Sequence, residues 1–184
     1  MRHRTYKVQS LPASLRPSIA HALVWVSEIN KDDIFLDPMC GAGTILIERA
    51  NAGPYRHLLG GDIRQEAVDA ALANIGEKYK PIEVKVWDAT SLPLQDKSIT
   101  KIVSNLPFGR QIGSHEENIV LYEEFFKEVV RILRPGGRVV ILSSECNLII
   151  REIAKYKDMK IRNHYKEIRL LGYSADIFVI KKFI

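Results

Sequence analysis

The run Ser104-Asn105-Leu106-Pro107-Phe108-Gly109 sets an amide, a proline, an aromatic ring and a glycine in direct succession. Those residue types suit one difficult reaction. An exocyclic amine on a nucleobase is a weak nucleophile, because its lone pair delocalises into the ring. Two hydrogen-bond acceptors facing that amine steer the nitrogen towards tetrahedral geometry as it attacks a methyl group. The Asn105 side-chain oxygen and the Leu106 carbonyl offer such a pair, Pro107 stiffens the loop, and Phe108 can stack on a base extruded from its helix. No strong general base is required, since the proton leaves readily once the nitrogen carries the methyl group and a positive charge. A proline loop around a buried phenylalanine would use the same letters, so the surroundings must decide.

A second constellation lies upstream. Asp37-Pro38-Met39-Cys40-Gly41-Ala42-Gly43-Thr44 follows an apolar run and opens a helical pattern, where two glycines admit close backbone approach and a helix start offers free N–H groups. Met39, Cys40, Gly41, Gly43 and Thr44 are candidate ligand contacts. Leu46 occupies the place of the third glycine in a dinucleotide fingerprint, so an adenosyl ligand suits the loop better than a pyrophosphate. Asp62 follows Gly41 by 21 residues, the right place for a carboxylate that accepts from both ribose hydroxyls. Asp88 could accept from an adenine amino group while the Ala89 N–H reaches a ring nitrogen, and Ile63 could pack on the adenine face or belong to the core. Each acid alone could cap a helix. Asp37, Asp62 and Asp88 at the ends of three successive strands would line one crevice.

The elements that position these residues read from apolar runs alternating with amphipathic stretches, the pattern of parallel strands joined by crossover helices. Strands are expected at 34–37, 58–62, 83–87, 102–104 and 138–143, and helices at 17–28, 44–51, 65–79, 120–133 and 147–156. Gly53-Pro54 and Pro135-Gly136-Gly137 are expected to stop two helices. Residues 160–171 and 175–184 are two β-rich runs with no room for a helix between them, hence an antiparallel hairpin. A mostly parallel seven-stranded α/β sheet finished by such a hairpin is the Rossmann-like class I methyltransferase arrangement. Trp25, Trp87, Tyr122, Phe125 and Phe126 are expected in the core, and His115 at a charged helix start.

The chain has 184 residues, 46% hydrophobic and 27% charged, which fits one domain with a real core and excludes disorder or a fibrous repeat. No apolar run reaches the roughly 18 residues of a membrane span, and no signal-peptide stretch follows Met1, so a cytoplasmic protein without membrane contact is expected. Two cysteines, Cys40 and Cys146, are too few for a disulfide framework and show no metal-site companions in sequence, so no metal is expected. The net charge of +5 is unevenly spread. Residues 1–30 carry four Arg/Lys against one acid, 31–148 carry 14 against 17, and 149–184 carry nine against four. Basic ends around an acidic body suggest a patch for a polyanion such as nucleic acid, led by Arg2, Arg4, Lys7 and Arg16, with Arg110, Lys181 and Lys182 as further candidates. Residues 1–10 read as a basic arm and 11–184 as the domain.

From about His3 to Cys146 the chain resembles the S-adenosylmethionine-dependent RNA guanine-N2 methyltransferases that usually follow an N-terminal THUMP domain. Leu11-Pro12-Ala13-Ser14-Leu15-Arg16-Pro17-Ser18-Ile19-Ala20 is similar to that family's opening helix, Asp37 to Thr44 to its cofactor loop, and Asn105 to Gly109 to its catalytic loop. The resemblance implies S-adenosyl-L-methionine as cofactor, Asn105, Leu106, Pro107 and Phe108 as catalytic residues, and structured RNA, tRNA first, as partner. No stretch of roughly 100 residues for a THUMP domain precedes Arg2, so the expectation is either the catalytic part of a longer protein or a stand-alone relative. Two alternatives stay open: adenine-N6 methylation of DNA or RNA, since the same acceptor pair suits any planar NH2 group, and a non-catalytic RNA-binding module.

Overall fold

A computed structural model describes residues 11, 14–79, 81–108, 114–170 and 172–183. Its elements run α1 (Pro17–Val26), β1 (Ile34–Asp37), α2 (Thr44–Ala52), β2 (His57–Asp62), α3 (Gln65–Ile75), β3 (Ile82–Val86), β4 (Ile99–Asn105), α4 (His115–Ile132), β5 (Leu133–Ser143), α5 (Cys146–Ala154), β6 (Met159–Arg169) and β7 (Ser174–Lys182). The seven strands form one sheet in the order β3-β2-β1-β4-β5-β7-β6. The first five pair in parallel, and β7 runs antiparallel to both β5 and β6.

Side chains alternate across each strand, so a sheet covered on both faces needs apolar residues at consecutive positions. Phe35, Val103, Val140 and Leu142 face α1, α2 and α3, where they meet Leu23, Ile47 and Val68. Leu36, Ile102, Val139 and Ile141 face α4 and α5, where they meet Tyr122, Phe125, Phe126 and Ile149. The chain order reverses between β1 and β4, and ligands of open α/β sheets bind at such a switch, beyond the carboxyl ends of the strands. Asp37 ends β1 and Asn105 ends β4, so both flank it.

At the opposite end of the sheet an ion pair closes the helix layer. Arg49 is fully buried and reaches Asp33 at 2.9 Å and the carbonyls of Asn30, Gly53 and Pro54, while Lys101 approaches Asp33 at 3.1 Å.

Several boundaries differ from the sequence reading. α3 ends at Ile75 rather than at 79, because Gly76 turns to φ 55°. α4 begins at His115 rather than at 120, since Ser114 and Glu117 form a capping box: the Glu117 N–H donates to Ser114 Oγ and the Ser114 N–H to the Glu117 carboxylate. Pro135-Gly136-Gly137 does not stop that helix. The helix ends at Ile132 and Leu133 already pairs with Ile99, so the Pro-Gly segment lies within β5. Trp25 is 69% exposed, not core, because α1 turns that position away from the sheet; Trp87, Tyr122, Phe125 and Phe126 are buried as expected. No helix among the described residues is long and apolar enough to cross a membrane.

Candidate active site

A cavity of about 340 Å³ opens at the switch point. Asp37, Met39, Cys40, Gly41 and Thr44 line it from the first loop, Asp62 and Ile63 from the end of β2, Asp88 and Ala89 from beyond β3, and Asn105, Leu106, Pro107 and Phe108 from the end of β4. Residues read from four separate stretches of sequence therefore share one space.

Gly43 is the exception. It does not line the cavity: at φ 78° its N–H donates to the Cys40 carbonyl, and a Cβ there would come within 3.2 Å of Ala71. Its role is to let the loop turn against α3. Gly41 does line the cavity, and its N–H donates to Asp62 Oδ2 at 3.1 Å. Asp62 thus ties the first loop to the end of β2, and its other oxygen accepts from the Arg64 backbone and guanidinium. A carboxylate has about four acceptor positions, so with three donors in place about one, on Oδ2, remains for a hydroxyl unless the half-exposed Arg64 side chain swings away. Asp88 Oδ1 accepts from the backbone and hydroxyl of Thr90, which fixes that carboxylate at the rim. Ile63 is 67% exposed, which removes the core reading and leaves an apolar surface at the cavity edge. Close approach also explains Gly61, where a Cβ would fall 1.3 Å from Trp87 Nε1; the ring occupies that space.

Asp37 is buried at 1% exposure. Desolvation pushes its carboxyl up to about 7, partly offset by hydrogen bonds from the Ser104 hydroxyl and the Met39 N–H, with the Asp62 charge raising it further. Burial likewise raises the Cys40 thiol well above its ordinary range, so Cys40 is a neutral wall of the cavity. Asn105 Oδ1 is buried with no hydrogen-bond partner. An unpaired buried acceptor is costly, and a bound ligand is one way to complete it.

The family model of the RMKL-like methyltransferase domain matches residues 4–168. The chain belongs to that family. It is 29% identical to the tRNA (guanine(6)-N(2))-methyltransferase THUMP3 of Mus musculus, over 98% of this chain and 38% of the relative. It is 35% identical to the U6 snRNA (guanine-N(2))-methyltransferase THUMPD2 of Mus musculus, over 77% of this chain and 26% of the relative. Among solved structures, TrmN from Thermus thermophilus matches with a TM-score of 0.85 at 27% identity, covering 98% of this chain and 53% of that one. The chain therefore spans about two fifths of the length of the first of these relatives and about half of the last.

In this RMKL-like methyltransferase domain the Asn105-to-Phe108 loop is held from behind. The Tyr122 hydroxyl donates to the Pro107 carbonyl at 2.8 Å and Asn118 Nδ2 to the same oxygen at 3.1 Å, while the Leu106 N–H donates to the Leu142 carbonyl. Sequence reasoning assigned Tyr122 to the core and Asn118 to nothing; a hydroxyl and an amide on one helical face were the available signal. Leu11, Ser14, Leu15, Leu121 and Tyr173 also line the cavity without having been singled out as contacts there.

Of the expected RNA contacts, Arg2, Arg4, Lys7 and Arg110 lie outside the described residues, as does Gly109. Arg16 is exposed at the start of α1. Lys182 is not a surface contact: it is 6% exposed and its amine donates to the carbonyls of Val130 and Leu133. Cys146, isolated in sequence, has companions in space, since its sulfur and the donor atoms of His164 and Asp176 all lie within 4.8 Å. Asp176 is already engaged there, by His164 Nε2 at 2.6 Å and by the Glu167 N–H at 3.0 Å.

Proposed function

We propose that this domain transfers the methyl group of S-adenosylmethionine to the exocyclic N2 amine of a guanosine in structured RNA, tRNA first. The observation that carries the reading is that Asn105, whose Oδ1 is buried without a hydrogen-bond partner, lines one cavity with Asp37, Asp62 and Asp88. The activities for which the relatives THUMP3 and THUMPD2 are named, both guanine-N2 methylations of RNA, support it.

The residues present fit the cofactor. The volume lies near the lower end of small-ligand sites, the walls are largely apolar, and the polar groups sit at separate points along the crevice. Asp62 would accept from the ribose hydroxyls, Asp88 Oδ2 from the adenine amine with the Ala89 N–H beside it, and Ile63 would cover the adenine face. Asp37, Met39, Cys40, Gly41 and Thr44 would surround the methionine end. When bound, S-adenosylmethionine supplies an electrophilic methyl group on a sulfonium.

The chain's own residues do the rest. Phe108 and the apolar wall receive the base; Asn105 Oδ1 and the Leu106 carbonyl accept its amine protons and orient the nitrogen lone pair towards the methyl carbon. These bonds strengthen as positive charge develops on nitrogen, so they act mainly in the transition state. The Tyr122 and Asn118 clamp keeps the acceptor pair in register with the cavity.

The test is product analysis. RNA transcripts lacking either guanine or adenine, incubated with the chain and S-adenosylmethionine and digested to nucleosides, should yield N2-methylguanosine from guanine-containing RNA only. N6-methyladenosine would move the assignment to adenine, and no product from either would indicate a non-catalytic module.

A further inference from the structure

We propose that the β6–β7 hairpin is the RNA-docking element of this domain: cations along edge strand β6 hold the RNA backbone, and Tyr173 at the hairpin turn closes against Phe108 beside the captured base. The inference rests on the reading of RNA as substrate.

Lys160, Arg162, Lys166 and Arg169 are all exposed on β6, and none has an acidic partner among the described residues. Several cations elsewhere are held by acids. Arg131 pairs with Glu128 and Asp96, Arg138 with Glu28, and Lys155 with Glu152. At the start of the hairpin the contrast sharpens, because Lys160, Arg162 and Lys181 stand 5.5, 5.8 and 5.8 Å from the centroid of one ring, Phe183. Three like charges around one ring repel each other, and the ring face offsets only part of that. A polyanion relieves the rest, with release of its own counterions.

The row also leads somewhere. Lys160 lies opposite Lys181, which lies opposite Arg138, where the β5–β7 pairing begins; Arg169 lies opposite Ser174, beyond the Ser143–Asp176 pair that ends β5. Lys160 and Lys181 thus lie towards the foot of the sheet, and Arg169 lies at the end that bears the cavity, on the other sheet face. There the turn presents Tyr173, which lines the cavity and meets Phe108 edge-on, with ring centroids 5.5 Å apart and planes at 77°.

The edge itself argues for nucleic acid rather than an added protein strand. β6 carries irregularities between Ile161 and Asn163 and between Tyr165 and Ile168, and bulges of this kind spoil an edge for strand pairing. Exposed cations beside them remain available to phosphates.

The experiment compares the parent chain, Lys160→Gln/Arg162→Gln, and a control with the same charge loss elsewhere, Lys31→Gln/Lys78→Gln. Binding of a fluorescent in vitro tRNA transcript is read by anisotropy across a salt series, S-adenosylmethionine binding by calorimetry, and folding by thermal melting. The hairpin variant should bind the transcript at least tenfold more weakly, with a salt slope shallower by roughly 1.4 to 1.8 for two lost phosphate contacts. Its cofactor affinity and melting should match the parent. Tyr173→Ala should raise the RNA KM at saturating cofactor. The inference is overturned if the hairpin variant loses no more RNA affinity than the control, or if it loses binding to anionic vesicles while keeping the transcript. A parent that methylates RNA while the hairpin variant is unaffected removes this surface and leaves the proposed function standing. A parent that binds the transcript through the hairpin yet never methylates it removes the function instead.

Discussion

Tyr122 fixes Pro107 from behind the Asn105-to-Phe108 loop: its hydroxyl donates 2.8 Å to the Pro107 carbonyl and sits 2.6 Å from Ser143 Oγ, linking α4, the end of β4 and the end of β5 through one fully buried oxygen. Desolvation in that position pushes the phenol well above its ordinary range, so it remains a neutral donor at every working pH. The segment that carries Asn105 is thus anchored to α4 and to the end of β5.

Tyr122→Phe should therefore act through position. Loss of one neutral hydrogen bond is worth about 1 kcal/mol, so kcat should fall by several-fold to tenfold while the Kd for S-adenosylmethionine stays near the parent value. A fall in cofactor affinity of the same size as the fall in kcat would show that Tyr122 supports the whole cavity rather than the loop.

Asp62→Ala removes the carboxylate that receives the Gly41 N–H and would receive the ribose hydroxyls. The expected loss in S-adenosylmethionine affinity is roughly 1.5 to 3 kcal/mol, or ten- to hundredfold. Calorimetry with unchanged affinity would remove Asp62 from the binding site.

Asp37 should make cofactor binding depend on pH. Its carboxyl titrates at about 7 when folded, above the ordinary 3.8, because burial disfavours the charged form. The neutral form predominates below pH 7 and the anion above it, and only the anion attracts the cationic cofactor. Affinity should rise as pH goes from 6 to 8 and level off beyond, and Asp37→Asn should flatten that profile. Stability runs the other way. The raised carboxyl is no penalty below pH 4, whereas between pH 4 and 7 the unfolded chain releases its proton first, so stability falls across that window in the parent and not in the Asn variant. Urea denaturation at pH 4.5 and 7.5 reads the difference.

Asp33→Ala tests the ion pair at the other end of the sheet. It leaves Arg49 fully buried without its carboxylate, and removing one partner of a buried pair costs about 3 to 5 kcal/mol. Denaturant unfolding should report a loss of that size; a loss below 1 kcal/mol would mean that the three carbonyls already satisfy the guanidinium.

Much of this molecule was legible in its sequence, for definable reasons. Consecutive apolar positions such as Phe35-Leu36 and Val139-Val140 require a sheet covered on both faces, and acids at strand ends converge once the strands are parallel. What escaped depends on contacts distant along the chain. Tyr173 reaches Phe108 only because β6 and β7 fold back beside β5, and Tyr122 reaches Pro107 only because α4 crosses behind the loop. Trp25 and Lys182 were misread because residue type is a poor guide to the side of an element: the indole faces out, whereas the ammonium is buried against carbonyls at the end of α4. The Pro-Gly segment after α4 was misread because a strand begins before it.

The most direct test of the central claim is single-turnover methyl transfer to a structured, guanine-containing RNA at saturating S-adenosylmethionine, comparing the parent with Asn105→Ala. Loss of one acceptor that acts mainly in the transition state should slow transfer by about a hundredfold, on the order of 3 kcal/mol, with cofactor affinity nearly unchanged. Transfer by Asn105→Ala at the parent rate would contradict the assignment of this loop as the site of chemistry.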